Sequence, residues 1–192
     1  MKTKLLAVAA ITLLTLTNLH AMEKVTFQGN PVSIEGTMPA VGKTAPAFHL
    51  ANADLKDVSI AEFGKTRKVL NIFVSIDTPV CDVSVRKFNE MVAKLPNTVV
   101  LGISNDLPFA QKRFCGAANI DKVTMLSSFR SPEFARSYGV AIPNGALKGL
   151  TTRAIVVLDE NNKVIYSQRS SEITEEPDYQ KVLDALKAPV KF

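Results

Sequence analysis

Val69-Leu70-Asn71-Ile72-Phe73-Val74-Ser75-Ile76-Asp77-Thr78-Pro79-Val80-Cys81-Asp82 is the stretch on which the fold turns. Its first six residues are mostly apolar and of strand length. Thr78 suits a helix N-cap and Pro79 the first helical position, and beyond them Phe88, Met91, Val92 and Leu95 recur at helical spacing as far as Leu95. A strand therefore hands over to a helix, and Cys81 falls at the third helical position. Backbone N–H groups are still unpaired there and the peptide dipoles present their positive end. A sulfur held at such a place is expected in its charged, nucleophilic form, with a depressed pKa.

The same alternation continues outward. Thr98 to Ser104 reads as the next strand. Leu107 to Cys115 reads as the next helix, with Asn105 or Asp106 as cap, Pro108 in its first turn and Gly116 closing it. Lys122 to Leu126 is a further strand and Pro132 to Tyr138 a short helix before Gly139. Arg153 to Asp159 and Lys163 to Gln168 form an antiparallel hairpin around Glu160-Asn161-Asn162, and Pro177 to Leu186 a last helix. Upstream, residues 24 to 36 alternate around Gly29-Asn30-Pro31 as a hairpin, Ala47 to Ala51 is a short strand and Ser59 to Phe63 one helical turn. Alternating strands and helices that finish in a hairpin and a helix imply an α/β fold, a mixed sheet with helices on both faces, in a thioredoxin-like order.

The first 21 residues read as an export signal: a basic start at Lys2 and Lys4, an apolar stretch from Leu5 to Thr17, and a polar end closing on Ala21. That stretch is shorter than the about 20 residues a membrane-spanning helix needs, so cleavage after Ala21 is expected and no span remains. The protein is then periplasmic; if translation starts at Met22 it stays in the cytoplasm. Removing the signal takes away two basic residues and no acid, lowering the formal charge by two from +5. Residues 22–192 suit one domain with its own core. No basic run interleaved with aromatics marks the chain for nucleic acid. With only His49 and two distant cysteines after cleavage, a metal site is not expected.

Cys81 and Cys115 are the only cysteines. In an oxidising compartment they could form a permanent structural disulfide. Their local settings differ, however. Cys115 lies in the last turn of its helix, at the negative end of the dipole, where a thiolate is disfavoured unless Lys112 or Arg113 compensates. Cys81 should attack and Cys115 respond. A peroxide would convert Cys81 to a sulfenic acid, which a second thiol condenses with to give a disulfide. Two side-by-side helices would hold the sulfurs about 13 to 20 Å apart along the axis at 1.5 Å per residue. A disulfide needs α-carbons within about 7 Å, so forming the bond requires one helix end to unwind. Arg153, a charge at the head of an apolar strand, could stabilise the charge developing as the O–O bond breaks. It could equally snorkel to solvent at a sheet edge.

At these residues the chain resembles the thiol peroxidase subfamily of the atypical two-cysteine peroxiredoxins. The likeness runs through Val25-Thr26-Phe27-Gln28-Gly29-Asn30-Pro31, Ser75-Ile76-Asp77-Thr78, Ser84-Val85-Arg86-Lys87-Phe88-Asn89, Asp106-Leu107-Pro108-Phe109-Ala110-Gln111 and Arg113-Phe114-Cys115-Gly116-Ala117, and covers nearly all of residues 24 to 188. It implies a thioredoxin fold, a homodimer, and reduction of hydrogen peroxide and organic hydroperoxides with no bound cofactor. Cys81 then matches the peroxidatic cysteine and Cys115 the resolving one. Thr78 matches the threonine that hydrogen-bonds sulfur and peroxide, and Arg153 the active-site arginine. Thioredoxin reopens the family's disulfide; an exported copy would need a thioredoxin-like reductant instead. Val74 stands where the family pattern has a proline that packs over the thiolate, which bears on rate and on resistance to overoxidation.

Two other readings compete. A thioredoxin-class disulfide oxidoreductase carries cysteines two residues apart, but Cys81-Asp82-Val83-Ser84 has serine at the second position. The non-enzyme reading is an exported binding domain stapled by Cys81–Cys115.

Overall fold

The computed structural model describes residues 24–187; the expected signal and its cleavage site lie outside them. Among the described residues seven strands form one mixed sheet in the order β4-β3-β7-β6-β5-β8-β9. In chain order these are β3 (His49–Ala51), β4 (Asp57–Ser59), β5 (Arg67–Ile72), β6 (Thr98–Ser104), β7 (Val123–Ser127), β8 (Ala154–Leu158) and β9 (Val164–Arg169). β5, β6 and β7 run parallel, and β8 returns antiparallel beside β5. A hairpin, β1 (Val25–Phe27) and β2 (Asn30–Val32), forms a two-stranded sheet of its own. This is the thioredoxin-like layout expected from the order of elements.

The central strands are covered on both faces, which is why they read as near-continuous apolar runs. Val69 and Phe73 face one cluster, with Ile155 and Val157 beside them. Leu70 and Ile72 face the other, with Val156 and Leu158. On the first face lie α1 (Pro79–Val92), α2 (Pro108–Ala118) and α4 (Tyr179–Lys187); α3 (Pro132–Ser137) and a 3₁₀ turn at Ile60–Phe63 lie on the second. α1 turns Cys81, Val85, Phe88 and Val92 inward along one stripe. Burying a side chain such as Phe88 is worth about 1.5–3 kcal/mol.

Three local expectations need correction. The hairpin turns at Gln28 and Gly29, both at positive φ (53° and 78°), while Asn30 and Pro31 belong to β2. Two successive left-handed residues give the turn a twist that matches paired strands. Leu107, not Asn105 or Asp106, occupies the cap position of α2, because the Asp106 carboxylate is engaged elsewhere. Gly116 does not close α2 either. The helix runs to Ala118 and ends at Asn119, left-handed at φ 53°, whose N–H donates to the Cys115 carbonyl.

Gly36 and Gly139 leave no room for a side chain where the segment after the hairpin crosses the end of α3. A β-carbon on Gly139, at φ 63°, would overlap the Met38 nitrogen, and one on Gly36, at φ 92°, the Arg136 carbonyl. Among the described residues no helix is long and apolar enough to cross a membrane.

Candidate active site

Cys81 lies at the first turn of α1, fully buried, and Cys115 is half-buried in the last turn of α2; both are free thiols. Cys115 packs against the apolar cluster that contains Cys81, and burial pushes its thiol pKa up. The cause is desolvation by burial, where the sequence pointed to the negative end of the helix dipole.

The first turn of α1 departs from expectation at one atom. The Cys81 N–H is not free: it donates to the Thr78 carbonyl at 3.1 Å, and the Asp82 N–H donates to the same oxygen at 3.1 Å. A backbone carbonyl has two lone pairs and can accept from both. The sulfur instead receives Nη2 of Arg153 at 3.2 Å.

Arg153 does not snorkel. It is 1 % exposed, and β8 lies inside the sheet between β5 and β9 rather than at an edge. Its Nε donates to the Ile173 carbonyl at 3.2 Å, while Nη1 is buried with no hydrogen-bond partner. A buried guanidinium N–H without a partner costs free energy, and such groups recur where a ligand is to be received. The Arg153 side chain therefore grips the loop at Ile173, touches the sulfur and keeps one donor in reserve.

Thr78 holds the cap position, but its hydroxyl makes no bond to the helix; it donates to the Ser75 carbonyl at 2.9 Å. With the proton used there, the oxygen offers lone pairs only. Sequence reasoning missed what holds this loop. The Asp106 carboxylate, at the end of β6, accepts from Ser75 Oγ at 2.8 Å, from the Ile76 N–H at 2.8 Å and from Ser104 Oγ at 2.7 Å. An acid next to a helix start reads as a cap, and nothing in the sequence signals a partner thirty residues upstream.

Beside the helix tip opens a cleft of about 240 Å³. Val74, Thr78, Pro79 and Val80 line it together with Phe27 and Gln28 of the hairpin and Ile173, and Arg153 reaches it from just before β8. Val74, at the family's proline position, is 5 % exposed and packs in the same cluster as Cys81, so the wall stays apolar without the ring. The lining can accept a small molecule with an apolar body and a polar end that meets Thr78 and Arg153.

Fold and site thus define a thioredoxin-like protein with a fully buried thiol that touches a guanidinium, the guanidinium in turn lining an apolar cleft that the sulfur itself does not line. Comparison with known proteins agrees. The Redoxin family matches residues 40–183. A thiol peroxidase of Corynebacterium glutamicum is 50 % identical over 165 residues, covering 86 % of this chain and 99 % of that protein. The crystal structure of a peroxiredoxin-like protein from Aquifex aeolicus superposes with a TM-score of 0.80 at 41 % identity, over 86 % of this chain and 96 % of that one. A thiol peroxidase from Chromobacterium violaceum shares the fold at a TM-score of 0.80 and 24 % identity, over 85 % and 95 % of the two chains. The chain therefore belongs to the redoxin family, and within it to the thiol-peroxidase type of peroxiredoxin enzyme.

Proposed function

We propose that this protein reduces hydrogen peroxide and organic hydroperoxides through Cys81 and that Cys115 resolves the oxidised thiol. The observation that carries the reading is the 3.2 Å contact between Arg153 Nη2 and Cys81 Sγ beside an apolar cleft. The Cys81 thiolate attacks the terminal oxygen of R–O–O–H. Two electrons pass from sulfur to the peroxide, the O–O bond breaks, and the alcohol or water leaves once its oxygen takes a proton. Nη1 of Arg153, which has no protein partner, meets the negative charge growing on the departing oxygen in this reading. Thr78, its proton committed to Ser75, accepts the O–H of the incoming hydroperoxide.

The sulfenic acid on Cys81 is then attacked by Cys115. A sulfur–sulfur bond forms, the S–O bond breaks and water leaves. A thioredoxin-like dithiol reopens the disulfide by exchange, restoring both thiols. No cofactor enters this cycle. The reading also includes a homodimer and, with the leader at residues 1–21, export to the periplasm.

Stopped-flow mixing of the reduced protein with peroxide tests the assignment of the two cysteines. Cys81→Ser should abolish the fast phase, whereas Cys115→Ser should retain it and stop turnover after one equivalent. A Cys81→Ser variant that consumes peroxide like the parent sinks the mechanism.

A further inference from the structure

The hairpin β1–β2 supplies Phe27 and Gln28 to the cleft, yet it has no place in the main sheet and only three residues per strand. Hairpins of that size are marginal by themselves. Part of what holds it is backbone pairing: the Thr26 N–H donates to the Ser171 carbonyl at 2.7 Å and the Ile173 N–H to the Thr26 carbonyl at 2.8 Å. Part is burial, with Val25 in the core cluster and Phe27 and Val32 packed against it, and a further set of hydrogen bonds converges on one side chain. The Glu172 carboxylate accepts from Thr26 Oγ1 at 2.7 Å and from the Gln28 and Gly29 N–H groups at 3.1 Å each. On its own loop it accepts from the Thr174 N–H at 3.0 Å and Thr174 Oγ1 at 2.7 Å.

The two turn N–H groups point at one anion because Gln28 and Gly29 are both left-handed. Consecutive N–H groups in such a turn make a concave receptor for negative charge. For Gln28, which carries a β-carbon, that conformation is uncommon and costs free energy. The charge-assisted bonds to Glu172 offset it. The same loop, one residue on, offers the Ile173 carbonyl to Arg153 Nε. Glu172 therefore joins the hairpin wall of the cleft to the loop that orients the guanidinium.

Resting on the peroxidase reading above, we propose that Glu172 is a positioning residue that holds the hairpin against the cleft and thereby sets how well the apolar body of an organic hydroperoxide is bound. Hydrogen peroxide, with no apolar body, draws little from that wall.

Steady-state kinetics with dithiothreitol as reductant, run with cumene hydroperoxide and with hydrogen peroxide, test this on Glu172→Ala and Thr26→Val. Glu172→Ala should raise KM for cumene hydroperoxide about tenfold with kcat changed less than about twofold, as expected for lost hydrogen bonds to a charged acceptor. The loss of kcat/KM for hydrogen peroxide should be several times smaller. Thr26→Val, which removes one donor to Glu172 together with the longer 3.1 Å bond of the same hydroxyl to the Ser171 carbonyl, should move KM the same way by a smaller factor, and it decides the question if Glu172→Ala does not fold. Equal proportional losses on both peroxides, or an unchanged KM for cumene hydroperoxide, overturn the inference. A parent protein that turns over neither peroxide overturns the peroxidase reading first, and the inference with it.

Discussion

Arg153 joins the thiol to the rest of the molecule. Its guanidinium is buried, and each of its nitrogens has a distinct position: Nε on the Ile173 carbonyl, Nη2 on the sulfur, Nη1 unpartnered. Lysine keeps the charge but cannot occupy three directions from a fixed plane. Glutamine removes the charge. Removing one preorganised donor of this kind costs on the order of 10²–10³ in rate. Arg153→Gln should therefore lower the rate constant for peroxide consumption by about 10² or more, and Arg153→Lys should recover only part of it, measured by stopped flow with folding checked by circular dichroism. Parent-like rates in Arg153→Gln would remove the arginine from the chemistry. Part of this was legible in the residues: a charge heading an apolar run called for explanation. Whether that charge faced solvent or sulfur was not, because it depends on β8 lying between two other strands.

At the level of elements, the end of α2 is held by α1. Arg86 Nη1 donates to the Ala118 carbonyl at 3.2 Å and its guanidinium lies 5.9 Å from the Phe114 ring centre. Asn89 Oδ1 accepts from the Asp121 and Lys122 N–H groups at 3.1 and 2.7 Å. The last turn of α2, which carries Cys115, is thus pinned at its carbonyl end and in the loop beyond. On the proposed resolution by Cys115, either that turn leaves these partners or the first turn of α1 unwinds to meet it. Hydrogen exchange in reduced and oxidised protein measures the consequence: amides of residues 107–118, or of the first turn of α1, should lose protection in the oxidised form and regain it on reduction. Identical protection in both states contradicts the opening. Helix α2 itself was readable from Pro108 in its first turn. Its true end at Asn119 was not, since Gly116 carries the stronger stop signal and only the fit of Phe114 and Ala118 against the rest of the core carries the helix past it.

For the whole molecule, the sheet brings together four segments far apart in the chain: the hairpin at 25–32, the loop and helix at 74–81, Arg153 at the mouth of β8, and the loop at 171–174. The proposed export and the proposed pairing with a second copy are tested at this scale. Cell fractionation should find a chain shortened by the leader in the periplasm, and light scattering should give twice the mass of one chain. A full-length cytoplasmic form or a one-chain mass would remove export or the dimer from the reading.

The α/β class, the order of strands and helices, the thiol at a helix start and the distinct setting of its partner all follow from local chemistry: apolar period, caps, proline at the first helical turn. These signals act over a few residues and so survive in a linear reading. The donor to Cys81, the Asp106 brace and the Glu172 clasp join residues roughly thirty to a hundred and forty-six positions apart. Such contacts depend on strand order and on which face each side chain takes, and both are settled only when the two apolar faces of the sheet are buried together.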